Sequence, residues 1–172
     1  DNPSAPAVAL IFCRIIKVTA KQIQDLTTKL ALDKLTVDHI WSTWKHFLSG
    51  HIHLLAGRCM AQFIICTVYG VCVVYKMKED VTFKKIIKIY REINPISNFE
   101  CFVLFNNIEI EDVLTIDLFD LFNKHFVPPM SNYIHKFKNL RNQQEALAPD
   151  SSVADAKCLL DTVRTCLRQN NA

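Results

Sequence analysis

Cys59-Met-Ala-Gln-Phe-Ile-Ile-Cys-Thr-Val-Tyr-Gly-Val-Cys-Val-Val-Tyr75 runs from Arg58 to Lys76 without a charge, and its reading decides the fold. Apolar residues fall on every face of a helix drawn through it, so that helix must be buried all round. It either crosses a bilayer or forms the central pole of a helical domain. A spanning helix wants roughly 20 predominantly apolar residues. This run is shorter and holds Gln62, Thr67, Tyr69, Gly70 and Tyr75. No second run of the kind occurs, and the opening Asp1-Asn-Pro-Ser-Ala-Pro6 lacks the basic-then-apolar pattern of a signal peptide. Opening without Met, the chain reads as a piece of something longer. The expectation is a buried central helix and no membrane.

Composition supports a single helical domain. The chain has 172 residues, 50% of them hydrophobic and 22% charged, enough for one large core. Only 3 glycines speak against phosphate-cradling loops, tight hairpins and all-β folds. The cysteines Cys13, Cys59, Cys66, Cys72, Cys101, Cys158 and Cys166 are odd in number and mostly embedded in apolar helical pattern. They read as small buried hydrophobes in a reducing compartment. A net charge of +3 is too mild to imply direct nucleic-acid binding.

Outward from the central run, helical periodicity repeats. Residues 1–6 read as a linker remnant. Leu10, Ile11, Ile15, Val18, Ile23, Leu26 and Leu30 keep near-helical spacing from Ala7 to Leu32. Thr36 offers an N-cap for a helix carrying Ile40, Trp41, Trp44, Phe47 and Leu48, which Gly50 stops. Beyond the central helix, Asp80 is the expected cap of a helix with Phe83, Ile86, Ile87 and Tyr90 inward, ended by Pro95. Phe99 to Phe105 alternates poorly and reads as a strand or irregular segment. Glu109 to Asp112 is expected to introduce a helix that runs to Phe126 and breaks at Pro128-Pro129. Ser131 then caps a helix with Tyr133, Ile134, Phe137 and Leu140. Residues 148–152 read as a linker, and Val153, Leu159, Leu160, Val163 and Leu167 as an amphipathic helix. The fold class is therefore all-α: a five-helix core around the buried helix, with flanking helices outside.

No glycine fingerprint, nucleophile elbow, metalloprotease helix or calcium loop occurs. His51, His53 and Cys59 give three metal-type ligands without a clear fourth, so surface histidines in a polar turn are the simpler reading. Cys66 has no histidine near it in sequence, and packing outranks a catalytic role for it. Neither a cofactor nor a metal is expected, and the chain does not read as an enzyme. Lys76, Lys84, Lys85 and Lys88 cluster instead, as a solvated helix face or a basic rim that steers acidic partners.

Ile64-Ile-Cys-Thr-Val-Tyr-Gly-Val-Cys72, followed by Phe83-x-x-Ile-Ile and Tyr90, resembles the B half of the pocket domain of retinoblastoma-family proteins. Phe122-Asn123-Lys-His-Phe126 is similar to that family's Tyr-Asn-x-x-Phe segment, and the likeness spans roughly Ala7 to Leu140. The resemblance implies a cyclin-like fold over residues 7–147 and a non-enzymatic nuclear scaffold for transcriptional repression and cell-cycle control. Its implied partners are Leu-x-Cys-x-Glu peptides of chromatin-modifying corepressors, a pocket A subdomain and, with that subdomain, E2-promoter-binding transcription factors. Another cyclin-fold regulator, a kinase-activating cyclin or a general transcription factor, is the competing reading.

Carried over by position, Tyr69 and Asn123 match a pair that clamps the peptide backbone, because amide and phenol groups supply the donors and acceptors an extended chain needs. Phe122 stands where the family has a groove Tyr, Phe126 matches an apolar wall, and Cys66 lies beneath. Val73 replaces the family's Lys after the second motif Cys, which removes a charged contact, and Phe122 lacks a hydroxyl. Each departure costs about 1 kcal/mol of binding. Pro128-Pro129 is expected to interrupt the far wall. The resemblance is thus to a divergent member with a weakened groove.

Overall fold

The computed structural model describes residues 5–77, 79–111 and 114–145. Helix α1 spans Ala5–Lys29, α2 Lys34–Gly50, and a 3-10 turn Ile52–Leu55 leads to α3, Met60–Val74. Then come α4 (Phe83–Ile93), α5 (Asn98–Phe105), strands β1 (Ile108–Glu111) and β2 (Leu114–Ile116), α6 (Leu118–Leu121), a π turn Phe122–Phe126 and α7 (Val127–Glu145). Of the linker expected over residues 1–6, Ala5 and Pro6 already belong to α1; residues 1–4 and the C-terminal segment beyond Glu145 lie outside the described residues.

The uncharged run is the central pole. Ala61 to Val68 and Gly70 to Cys72 are all buried, and α1, α2, α4, α7 and the π turn pack around α3. Its polar groups are accounted for: the Thr67 hydroxyl donates to the Phe63 carbonyl at 2.8 Å, and Gln62 Nε2 donates to the Leu104 carbonyl at 2.9 Å. Gln62 Oε1 also accepts from the Cys59 amide at 3.2 Å, so one side chain caps α3 and ties it to the end of α5. Among the described residues no helix is long and apolar enough to cross a membrane. The architecture is all-α and cyclin-like, with a central buried helix.

Helix ends depart from expectation for identifiable reasons. The N-cap of α2 is Asp33, and Thr36, expected in that role, instead donates its hydroxyl to the Asp33 carboxylate. The N-cap of α4 is Thr82, whose hydroxyl accepts from the Lys85 amide at 3.2 Å, whereas Asp80 offers only its carbonyl, to Lys85 Nζ at 2.8 Å. Both α1 and α3 close in Schellman loops on non-glycine residues. Leu32 N bonds Thr27 O and Ala31 N bonds Thr28 O, with Ala31 at φ 53°. Met77 N bonds Cys72 O and Lys76 N bonds Val73 O, with Lys76 at φ 61°.

Three expectations in the second half are corrected. Phe99 to Phe105 is helical, because Ser97 and Glu100 form a reciprocal capping box at 2.7 and 3.1 Å that starts α5. Glu109 to Glu111 do not open the expected helix, and Asp112 lies outside the described residues: residues 108–111 pair antiparallel with 114–116, Ile108 opposite Ile116, and Asp117 caps α6 by accepting from the Asp120 amide at 2.8 Å. Pro128-Pro129 does not break the chain's helix, and Ser131 lies inside α7 rather than at its cap. The prolines follow a turn in which Val127 N bonds Phe122 O, five residues back. This wider turn moves the preceding carbonyls away from the pyrrolidine rings, which would collide with them in a regular α-helix.

Candidate functional site

Two elements meet where the candidate groove residues converge. On α3, Tyr69 is half-buried and interrupts the otherwise buried stretch from Ala61 to Cys72. Gly70 lets the π turn come close: a Cβ there would lie 3.3 Å from Ile134 Cδ1 and Phe126 Cε1, and 3.4 Å from Phe122 Cε2. Phe122 consequently packs its edge on Tyr69, ring centroids 5.1 Å apart. Asn123, one residue on, is exposed, and its Nδ2 donates to the Phe119 carbonyl at 3.0 Å. That bond leaves Oδ1 without a partner among the described residues.

Two residues not anticipated from sequence complete the aromatic surface. Phe83, the first residue of α4, stacks at a tilt on Tyr69 at 4.0 Å and meets Phe122 edge-on at 5.5 Å. Phe119 is 56% exposed and stands edge-on to Phe83 at 6.3 Å. Aromatic pairs of this kind hold geometry as well as bury area. No sequence pattern links Phe83 and Phe119, since they lie on separate helices brought together only by packing.

The remaining groove candidates sit differently. Phe126 is fully buried, 5.7 Å from Phe122, and supports the surface from behind. Cys66 is also fully buried, and burial pushes its thiol well above the ordinary range, so it stays protonated and a poor nucleophile. Burial and Asp33 push Cys72 up to about 12. Val73 is half-exposed, one turn beyond Tyr69 on the same edge of α3. His125, on the π turn, is held below the ordinary histidine range by burial and by Arg58 and Lys124.

The lysines divide between two places. Lys76 is the left-handed residue that terminates α3. Lys84, Lys85 and Lys88 line a shallow depression along the outer side of α4, together with Arg91, Ile87 and Ile96. Successive helical residues turn by about 100°, so Phe83 faces α3 while Lys84 and its neighbours look outward.

The His51 and His53 rings lie 6.2 Å apart, and Cys59 is exposed at the start of α3. Among the described residues no group of three or more His, Cys, Asp and Glu side chains could hold a metal ion.

Residues 7–114 match the family model described as the retinoblastoma-associated protein B domain. Among curated proteins, the chain is 32% identical over 84 residues to retinoblastoma-related protein 2 of Oryza sativa subsp. japonica. It is 29% identical over 85 residues to retinoblastoma-related protein 3 of Zea mays, and 31% over 85 residues to the retinoblastoma-related protein of Cocos nucifera. Each match covers 49% of this chain but only 8% of the relative's length.

Proposed function

Because the chain belongs to the retinoblastoma-associated protein B domain family, we propose that it is the B half of a pocket-protein scaffold that binds Leu-x-Cys-x-Glu segments. It works without catalysis, in the nucleus, repressing cell-cycle transcription by holding corepressors through such segments. The observation that carries the reading is the arrangement of Tyr69, Phe122 and Asn123. A half-buried phenol and an exposed amide with an open acceptor flank an aromatic floor. An extended peptide crossing that floor needs its backbone groups satisfied, which the phenol and the amide can do. Phe122 and Val73 supply no polar contact there, so the affinity is lower than a groove with the family's Tyr and Lys would give.

The same reading includes a pocket A subdomain and, with it, E2-promoter-binding transcription factors. The first half of α1 supports it: Leu10, Ile11 and Val18 are 52%, 58% and 52% exposed on a helix whose second half is packed. Apolar surface of that kind marks an interaction site. The competing reading as a cyclin or a general transcription factor gives way to the family match.

The test is a fluorescence-anisotropy titration of a labelled Leu-x-Cys-x-Glu peptide, with its Leu, Cys and Glu replaced by Ala as control. Asn123→Ala and Tyr69→Ala are each expected to weaken binding about tenfold, the loss of roughly one or two hydrogen bonds. No binding by the wild type, or equal binding by all three proteins, would sink the proposal.

A further inference from the structure

We infer, resting on the groove reading above, that the groove selects an aromatic side chain at the position where the Leu-x-Cys-x-Glu motif has Leu. Phe119 is the residue that selects it.

The aromatic floor restricts where a large apolar side chain can go. Tyr69 and Phe83 lie 4.0 Å apart between ring centroids, Tyr69 and Phe122 5.1 Å, and Phe83 and Phe122 5.5 Å. These are contact distances for aromatic rings, so the three close on one another and leave no ring-sized gap between them. Open apolar surface lies at their edge, where Phe119 is 56% exposed. Phe12, Phe99 and Phe102 are exposed as well, but of these four only Phe119 touches another ring. A peptide with one large apolar residue removes most apolar surface from water by laying it there.

Phe119 and Phe83 meet at an interplanar angle of 89°, with centroids 6.3 Å apart. Two planes at a right angle form a corner. A third ring seated in it lies flat against one and edge-on to the other, the two arrangements that ring quadrupoles favour. A Leu side chain in the same corner gains contact area without that directional attraction.

The corner is held in place before any peptide arrives. Leu118 and Leu121 are buried, which turns Phe119 outward on α6. The Asp117 carboxylate accepts from the Asp120 amide at 2.8 Å, and Asn123 Nδ2 donates to the Phe119 carbonyl at 3.0 Å. Phe83 is fixed as the first residue of α4 by the Thr82 cap. Rings already positioned cost less ordering on binding.

The spacing also fits one short peptide. Asn123 follows Phe119 by four residues, close to one helical turn, which rises about 5.4 Å. Side chains on one side of an extended chain recur about every 6.6 Å. The ring on Phe119 and the backbone groups met by Asn123 therefore belong to positions about two peptide residues apart.

The test is a set of anisotropy titrations on the full chain. Three fluorescein-labelled peptides are identical except at the first motif position, which is Phe, Leu or Ala. The Phe peptide is expected to bind on the order of fivefold tighter than the Leu peptide, with Ala weakest. In Phe119→Leu the preference for Phe over Leu should fall to about one, whereas Phe119→Tyr, which keeps the ring, should retain it. General loss of packing would weaken both peptides alike and leave the ratio unmoved. Asn123→Ala should weaken both by the same factor. All three substitutions are at exposed positions, and thermal melts verify the fold. Equal or tighter binding of the Leu peptide by the wild type would overturn the inference and leave the groove reading standing. A preference that survives Phe119→Leu or disappears in Phe119→Tyr would overturn it as well. So would a Phe peptide indifferent to Asn123→Ala, which would seat the ring outside the groove. Binding of none of the three peptides would overturn the inference and the groove reading together.

Discussion

Gly70 sets the distance between α3 and the π turn, and three side chains crowd the space its missing Cβ would fill. All three contacts are side-chain atoms rather than backbone, so they can give slightly. Gly70→Ala is expected to lower stability by about 1 kcal/mol through overpacking and to shift the Phe122 ring against Tyr69. Urea midpoints and near-ultraviolet circular dichroism would register the two effects. His39 carries a different kind of consequence. It stacks on Phe137 at 4.1 Å and hydrogen-bonds the Tyr75 hydroxyl, and burial holds it below 6.5, against the opposing pull of Asp38 and Asp33. A histidine whose folded-state pKa is depressed resists protonation, so its contribution is intact above pH about 6.5 and is lost as pH falls below that. The urea midpoint should drop between pH 7.5 and pH 5, and less so in His39→Gln, with His51 and His125 accounting for the remainder. An equal drop in the variant would refute this role for His39. Sequence reading reached Tyr69, Phe122 and Asn123 through a motif likeness. It missed Phe83 and Phe119 because only packing across three elements makes them neighbours.

Among the elements, α2, α3 and α4 were legible where a single apolar face alternates with a polar one or where every face is apolar over many turns. α5 was not: eight residues without a clear period cannot distinguish helix from strand. The π turn carried a signal of another sort. Leu118, Phe122, Phe126, Met130 and Ile134 are all buried, at a strict spacing of four. Over a regular α-helix each such step drifts by about 40°, so a stripe this long with that spacing calls for a wider turn within it. The prolines were read as a break because the rule assumes a regular helix before them. Helix ends bear their own prediction. Ala31 and Lys76 hold left-handed conformations that cost an L-residue about 1 kcal/mol. Ala31→Gly and Lys76→Gly should each raise stability by about 0.5 kcal/mol, the relief being partly offset by a freer unfolded chain. Unchanged or lower urea midpoints would show that the loops are already relaxed.

For the whole molecule, the sequence conveyed an all-α core and its central helix because burial on every face leaves an unmistakable absence of charge. The antiparallel strand pair, Ile108–Glu111 with Leu114–Ile116, escaped it, since three or four residues per strand are too few for alternation to stand out. The site lies at the junction between the legible half and the illegible one. That junction has a further property. In the α register the donor to the Lys124 carbonyl would be Pro128, and in the π register Pro129; neither has an N–H. Reverting to a tighter turn therefore recovers no bond at that carbonyl, and it would carry Asn123 about 100° around the axis. The two prolines act as a frame lock. They keep the chain in the phase that packs Phe122 against Tyr69, much as a splice is held by removing the thread that would let it slip.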